Sequence, residues 1–426
     1  MIRPGKLTRE QQLRSQRYWL KFNLLNGFSY MCLGDTVIIL FAVKIDMPNV
    51  LVAVLGSMVY VGYLLLPLGK WVTSRIGAAQ SQASFWVLRN FAALLVAAAA
   101  PLVWFGHTAA AMAMVILGAF FFYGFRGAGC IMGTPLIGEI TNESDRAKVL
   151  GNNTAAFQVS SFVALVMLSW VLRLSSSIWM LFGVILIGSA FGFTSSRLFA
   201  KIDESPVIRD SARRPLRPEF LHLWRNSHYR SYLRMMFALS VSGIMIGPMG
   251  MLTLKRGCGV SDTEALLYTL LQCAASSAMS PFAARLVNRC GTRRVVIIGY
   301  LVMISQCLYW IFMPVPYCWQ LAMLPFFFNG FRAVASGNAA AQYFLRAVPS
   351  RHLVAASILG ALVHGAGAGI VGMLLASGTM KLAQALTASS EPYTLYRVYF
   401  LLVLAVTLAA GLPMVYRLKR FVGGRG

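Results

Sequence analysis

Asp35, Arg126 and Arg332 are charged residues set inside long apolar runs, and their types and positions point to chemistry away from bulk water. A carboxyl in a low-dielectric setting suits reversible protonation. A guanidinium keeps its charge and offers a planar fork to carboxylates or phosphates. Two arrangements are open: Arg126 balances Asp35 as a proton-coupling pair, or Arg126 and Arg332 together grip an anionic solute. Six polar residues in apolar runs are candidates to hydrogen-bond or stack on a small polar solute: Asn26, Tyr30, Tyr123, Gln158, Gln272 and Asn329. Each can equally bridge two helices, as Asn338 and His364 can. Arg75, Glu139 and Arg289 stand at the ends of apolar runs as gating candidates, with Glu139 expected to pair with a loop base such as Arg75 or Arg146. Arg89 lies nearer one end of its run and is expected to snorkel to the interface.

The elements that must position these residues are membrane spans. Of 426 residues, 58% are hydrophobic and 12% charged, against about 25% charged in soluble proteins. A span needs about 20 apolar residues. Twelve segments qualify, near 22–43, 49–69, 83–105, 109–137, 152–173, 177–197, 232–254, 262–283, 294–314, 318–344, 352–377 and 395–416. Residues 1–21 are basic and no small-residue cleavage site follows the first run, so that run is expected to be a retained span. The seven cysteines show no CxxC pair and no histidine at ligand spacing, so no metal, cofactor or disulfide framework is implied.

The net charge of +25 does not point to nucleic acid, because the bases sit in short connections between apolar runs. With the N-terminus cytoplasmic, the internal connections and termini hold 29 Lys and Arg and the external ones six; Arg89, Arg126 and Arg332 fall inside spans. That asymmetry is the positive-inside pattern and puts both termini in the cytoplasm. The longest connection, 198–231, carries Pro206, Pro215 and Pro218 among its charges and reads as a linker. It also reads as a strip for contact with anionic lipid.

The halves on either side of the linker repeat one another. Phe120-Phe121-Phe122-Tyr123-Gly124-Phe125-Arg126 matches Phe326-Phe327-Phe328-Asn329-Gly330-Phe331-Arg332 at six of seven positions. Ser74-Arg75-Ile76-Gly77 likewise corresponds to Asn288-Arg289-Cys290-Gly291. Parallel six-span repeats with a solute path between them are a recurrent transporter plan. The connection from Ala284 to Arg294 resembles the signature loop of the major facilitator superfamily, roughly G-x-x-x-D-R-x-G-R-R, with Asn288 and Ser74 where the family has an acid. Asp35 with Arg126 resembles the helix 1 acid and helix 4 arginine of proton-coupled sugar porters in that superfamily. Arg126-Gly127-Ala128-Gly129 loosely resembles the helix 4 motif of its antiporters.

The expected fold is therefore all-α, twelve transmembrane helices in two pseudo-symmetric six-helix bundles, 1–197 and 232–426, joined by the cytoplasmic linker 198–231. The resemblance implies a monomeric inner-membrane transporter of a small polar or anionic solute such as a sugar or sugar acid, coupled to protons, and not an enzyme. Proton-driven export of amphipathic compounds is the alternative within transport. A transporter-like receptor or scaffold is the alternative outside it. The expected partners are the solute, protons and the lipid bilayer.

Overall fold

The computed structural model describes residues 2–419, apart from 49–50, 52–54, 56–57, 61, 175–176 and 388–391. Inside helices, the side chains of residues 35–36, 172–173, 262–263, 265–266 and 392 also lie outside the description. Two compact units form, Met1–Phe220 with Pro349–Leu359 and Leu221–Val348 with Gly360–Gly426.

The first unit opens on α1 (Arg9–Leu33), whose start is fixed by a capping box between Thr8 and Gln11. Gly34 adopts an extended conformation and breaks the first span, so Asp35 becomes the first residue of α2 (Asp35–Lys44). The span read over 22–43 is present and consists of two helices that meet at Gly34. A 3₁₀ turn (Gly62–Leu65) leads into α3 (Leu66–Ile76), followed by α4 (Ala78–Ala97), α5 (Ala99–Trp104), α6 (Thr108–Cys130), α7 (Gly133–Ile140), α8 (Glu143–Leu174) and α9 (Ile178–Phe199). Two short amphipathic helices, α10 (Pro206–Arg213) and α11 (Leu216–Arg225), occupy the connection read as a linker.

The second unit contains α12 (Ser227–Leu252) with a π-helical turn at Thr253–Gly257, then α13 (Asp262–Cys290), α14 (Thr292–Phe312) and α15 (Trp319–Ala347). A 3₁₀ turn (Ser350–His352) and α16 (Leu353–Gly360) pack with the first unit. A π-helical stretch (Ala361–Gly367), α17 (Ala368–Leu386), α18 (Pro392–Val406), a further π turn (Thr407–Gly411) and α19 (Leu412–Tyr416) complete the second unit.

Among the described residues, nine helices are long and apolar enough to cross a membrane, which makes this a multi-pass membrane protein. α13 and α15 are each 29 residues long but carry polar residues such as Gln272, Ser276, Asn329 and Arg332. The segment read over 49–69 falls partly outside the described residues.

Within each unit the helices pair in the same way. α1 packs on α8, α4 on α6 and α9, and α3 on α6; in the second unit α12 packs on α17, α14 on α15 and α18, and α13 on α15. Lipid gives helices no hydrophobic reason to associate, so these contacts depend on close packing of small residues. The repeated glycine of the Phe-rich motif is one such contact. A Cβ on Gly124 would meet the Leu65 side chain at 2.4 Å, and one on Gly330 would meet the Gln272 carbonyl oxygen at 2.3 Å. The turn glycines also correspond, Gly77 at φ +90° between α3 and α4 and Gly291 at φ +81° between α13 and α14, where a side chain would strain the backbone.

Candidate solute site and its supports

In the second unit a cavity of about 250 Å³ lies among four helices. Its lining includes Pro248 and Met251 from α12, Thr269 and Gln272 from α13, Gln306 and Trp310 from α14, and Pro325, Phe326 and Asn329 from α15. Polar and apolar groups share its walls about equally, a more polar lining than most small-molecule sites have, and its volume is just below their common range of about 300–1,000 Å³. Trp310 is held by its neighbours, at 20° and 5.7 Å to the Phe400 ring and edge-on to Phe326 at 6.3 Å. Gln306 donates one Nε2 hydrogen to the Pro325 carbonyl at 3.2 Å, which leaves its amide oxygen and its second N–H for a solute.

Asn329 is oriented from behind. Arg332 donates to its Oδ1 from Nε at 3.0 Å and from a terminal nitrogen at 2.7 Å, and its other terminal nitrogen meets the Met303 sulfur at 3.4 Å. With Oδ1 engaged, Asn329 offers its N–H donors to the cavity. The two-pronged donation of Arg332 is thus directed at a neighbouring side chain three residues away, and Arg332 is not part of the cavity lining.

In the first unit Arg126, on α6, stacks over the Tyr30 ring of α1 at 4.4 Å from its centroid. Two residues singled out in the sequence are thereby brought together. Asn26 is buried and its Oδ1 accepts from Trp86 Nε1 at 2.7 Å and from Arg89 at 3.1 Å. Tyr123 is buried and packs edge-on against Phe122. Gln158 is half-buried on α8. The side chain of Asp35 lies outside the described residues, as does any contact it makes.

Arg89 does not snorkel. It is 1% exposed and fixed between α1, α4 and α6, donating to Asn26, to Ser29 Oγ at 3.4 Å and to Asn90 Oδ1 at 3.2 Å. The Trp86 and Phe122 rings lie 4.9 and 5.7 Å from its guanidinium carbon. Its position on α4 faces the neighbouring helices rather than lipid, and neutral oxygens and ring faces share its charge.

Of the gating candidates, Arg75 is exposed beside Trp71 at 6.0 Å and Arg289 is exposed in the last turn of α13. Glu139 pairs with neither Arg75 nor Arg146. Its carboxylate accepts from the backbone N–H of Ser205 at 2.9 Å and from the Ser205 hydroxyl at 2.6 Å, because the start of the connection folds back onto α7. Arg146 instead donates to Thr141 Oγ1 at 3.3 Å.

The acids before Ser205 extend this anchorage. Glu204 is fully buried and accepts from the backbone N–H groups of Ala78 at 2.7 Å and Ala79 at 3.2 Å, capping α4. Burial outweighs those two bonds and pushes its carboxyl up to about 7. Burial also acts on Asp203, but Arg14 and Arg3 hold its carboxyl below the usual range; Arg3 approaches at 3.0 Å. Farther on, Glu219 of α11 bonds His352 and lies 3.5 Å from Arg214. Among the described residues no cluster of His, Cys, Asp or Glu could hold a metal ion.

Sequence reading missed Thr269, Gln306, Trp310, Glu204 and the burial of Arg89. Gln306 carries the same signal as Gln272, an amide inside an apolar run. The partners of Glu204 are more than a hundred residues away in the chain and leave no local pattern.

No protein-family model matches the chain, and no curated protein matches it in sequence. Solved structures do match its fold. FucP, a major facilitator superfamily transporter in the outward conformation, superposes with a TM-score of 0.71 at 12% identity, over 96% of this chain and all of that one. A bacterial homologue of the iron transporter ferroportin, outward-facing, gives 0.69 at 15% identity, over 95% and 99%. The xylose transporter XylE from E. coli, in a partially occluded inward-open conformation, gives 0.61 at 16% identity, over 94% and 97%. The helix order, the repeated packing in the two units and these near-complete superpositions together establish that the chain has the twelve-helix fold of the major facilitator superfamily transporters.

Proposed function

We propose that this protein is a secondary transporter that moves a small polar or anionic solute across a membrane by alternating access. The observation that carries the reading is the cavity in the second unit. Gln272, Gln306, Thr269 and Asn329 supply hydrogen-bonding groups there, and Trp310 and Phe326 supply flat apolar faces. Hydroxyl and carboxylate oxygens on a compact solute would accept from Asn329, solute hydroxyls would donate to Gln306, and a ring would lie on Trp310. The folds of a fucose:proton symporter and a proton:xylose symporter support a solute of this kind.

Coupling to protons is assigned to Asp35, with Arg126 as its countercharge. Asp35 opens α2 directly after the break at Gly34, and broken spans are where transporters place ion and solute groups. Arg126 is already restrained by Tyr30, so a change of charge at Asp35 would be felt by a residue with a fixed position. Arg332 acts by positioning Asn329. Glu139, Arg75 and Arg289 belong to the ends of the helices that open and close the path, at the cytoplasmic side of an inner membrane.

The test is a thermal-stabilisation screen of the purified protein with sugars, sugar acids, organic phosphates and cationic drugs. A hit among the sugars or sugar acids that weakens in Gln272→Ala and Asn329→Ala is the expected result. Stabilisation by amphipathic cations alone, unaltered in both variants, would move the reading to drug export. Reporter fusions at residues 205 and 426 are expected to read cytoplasmic and one at 385 external.

A further inference from the structure

We propose that a crevice at the basic end of the second unit is a binding site for the headgroup of an anionic phospholipid. The crevice, about 190 Å³, lies where the first turns of α12 meet α19, close to the end of α11. Arg230 and Arg234 line it with Leu233, Phe237, Met414 and Trp224. The spacing of 230, 233, 234 and 237 puts these four on one face of α12. Two guanidinium groups one turn apart suit a phosphate diester, which takes planar, two-pronged donation. The Leu233, Phe237 and Met414 side chains supply an apolar wall for the first carbons of an acyl chain. Trp224 is 55% exposed, as a tryptophan at the membrane–water boundary is expected to be.

Charge makes an anion the fitting occupant. From residue 221 onward the only acids in the sequence are Asp262, Glu264 and Glu391. Asp262 and Glu264 stand at the start of α13, the opposite end of the unit from the first turns of α12 that carry Arg230, and Glu391 lies outside the described residues. The Arg230 end also carries Arg289, Arg293, Arg346 and Arg417. Within the crevice, the Nε of Arg230 is enclosed and has no hydrogen-bond partner. An anionic headgroup meeting the outer guanidinium nitrogens of Arg230 and Arg234 would supply the countercharge. Basic pockets between spans on the cytoplasmic side are characteristic lipid-headgroup sites. The proposal depends on the membrane setting but not on transport or on the solute.

The full-length protein is placed in phosphatidylcholine nanodiscs that contain a few per cent of a lipid with brominated acyl chains. The lipid is either brominated phosphatidylglycerol or brominated phosphatidylcholine. Quenching of Trp224 is read as the difference between the wild type and Trp224→Phe. Quenching by the brominated phosphatidylglycerol is expected to exceed that by the brominated phosphatidylcholine at least threefold. The preference should be kept in Arg230→Lys/Arg234→Lys and lost in Arg230→Gln/Arg234→Gln. Equal quenching by the two lipids in the wild type would overturn the proposal, and that comparison needs no variant beyond the tryptophan reference. Retention of the preference in the glutamine pair would overturn it too. So would full displacement of the brominated phosphatidylglycerol by glycerol 1-phosphate at matched ionic strength, since the site would then take a soluble phosphate rather than a lipid.

Discussion

Asn329 receives two hydrogen bonds from Arg332, three residues later on α15, at 3.0 and 2.7 Å. The pair fixes an amide that lines the candidate cavity. Arg332→Lys keeps the charge but loses the fork, so solute affinity is expected to fall about tenfold while protein yield is retained. Isothermal titration with the solute identified by screening reads the change. Unaltered affinity in Arg332→Lys would separate Arg332 from the site.

Tyr30 and Arg126 link α1 to α6 through a ring and a guanidinium 4.4 Å apart. Tyr30→Phe keeps the ring face and Tyr30→Leu removes it, so Tyr30→Leu should be about 1 kcal/mol less stable than Tyr30→Phe. Thermal unfolding in detergent measures both. A loss in Tyr30→Phe as large as in Tyr30→Leu would place the contribution in the hydroxyl instead.

Asp35→Asn is expected to abolish proton-driven accumulation while sparing counterflow exchange, because exchange requires no net proton movement. In a double-mutant cycle with Arg126→Ala, partners that share one interaction give non-additive losses. Accumulation that survives Asp35→Asn would remove Asp35 from coupling.

Glu204 gives the first unit a pH dependence with a definite sign. Its carboxyl titrates near 7 when folded, against an ordinary value of 4.5, so the folded state holds the proton more tightly. That contribution is fully present below the ordinary value and is lost as pH rises towards 7 and beyond. Relative to Glu204→Gln, the wild type should lose about 3 kcal/mol of stability between pH 4.5 and 7.5. Differential scanning fluorimetry of the two proteins across that range tests it; parallel curves would contradict the assignment.

What could be read from the chain and what could not divide along physical lines. The Phe-rich repeat led directly to two glycines that do the same job in two units, and the turn glycines Gly77 and Gly291 share a positive φ. Apolar runs gave the spans because hydropathy is a property of the segment. The break at Gly34 is hidden in the hydropathy of the run, which reads as one span, and its one local mark is a glycine followed directly by Asp35 and Thr36. The burial of Arg89 was not legible, because run position gives depth in the membrane but not which side of a helix meets protein. Glu204 capping α4 depends on the path of the chain after α9, which no local pattern encodes.

The central claim is that the cavity in the second unit is the place where a solute is held during transport. The direct measurement is uptake of the best-stabilising labelled solute into proteoliposomes by the wild type, Gln272→Ala and Asn329→Asp. In Asn329→Asp the carboxylate would pair with Arg332 and withdraw the N–H donors from the cavity. Saturable uptake by the wild type, reduced at least tenfold in both variants with protein incorporation unchanged, is the expected result. Binding without flux in the wild type, or uptake equal in all three proteins, would contradict the account.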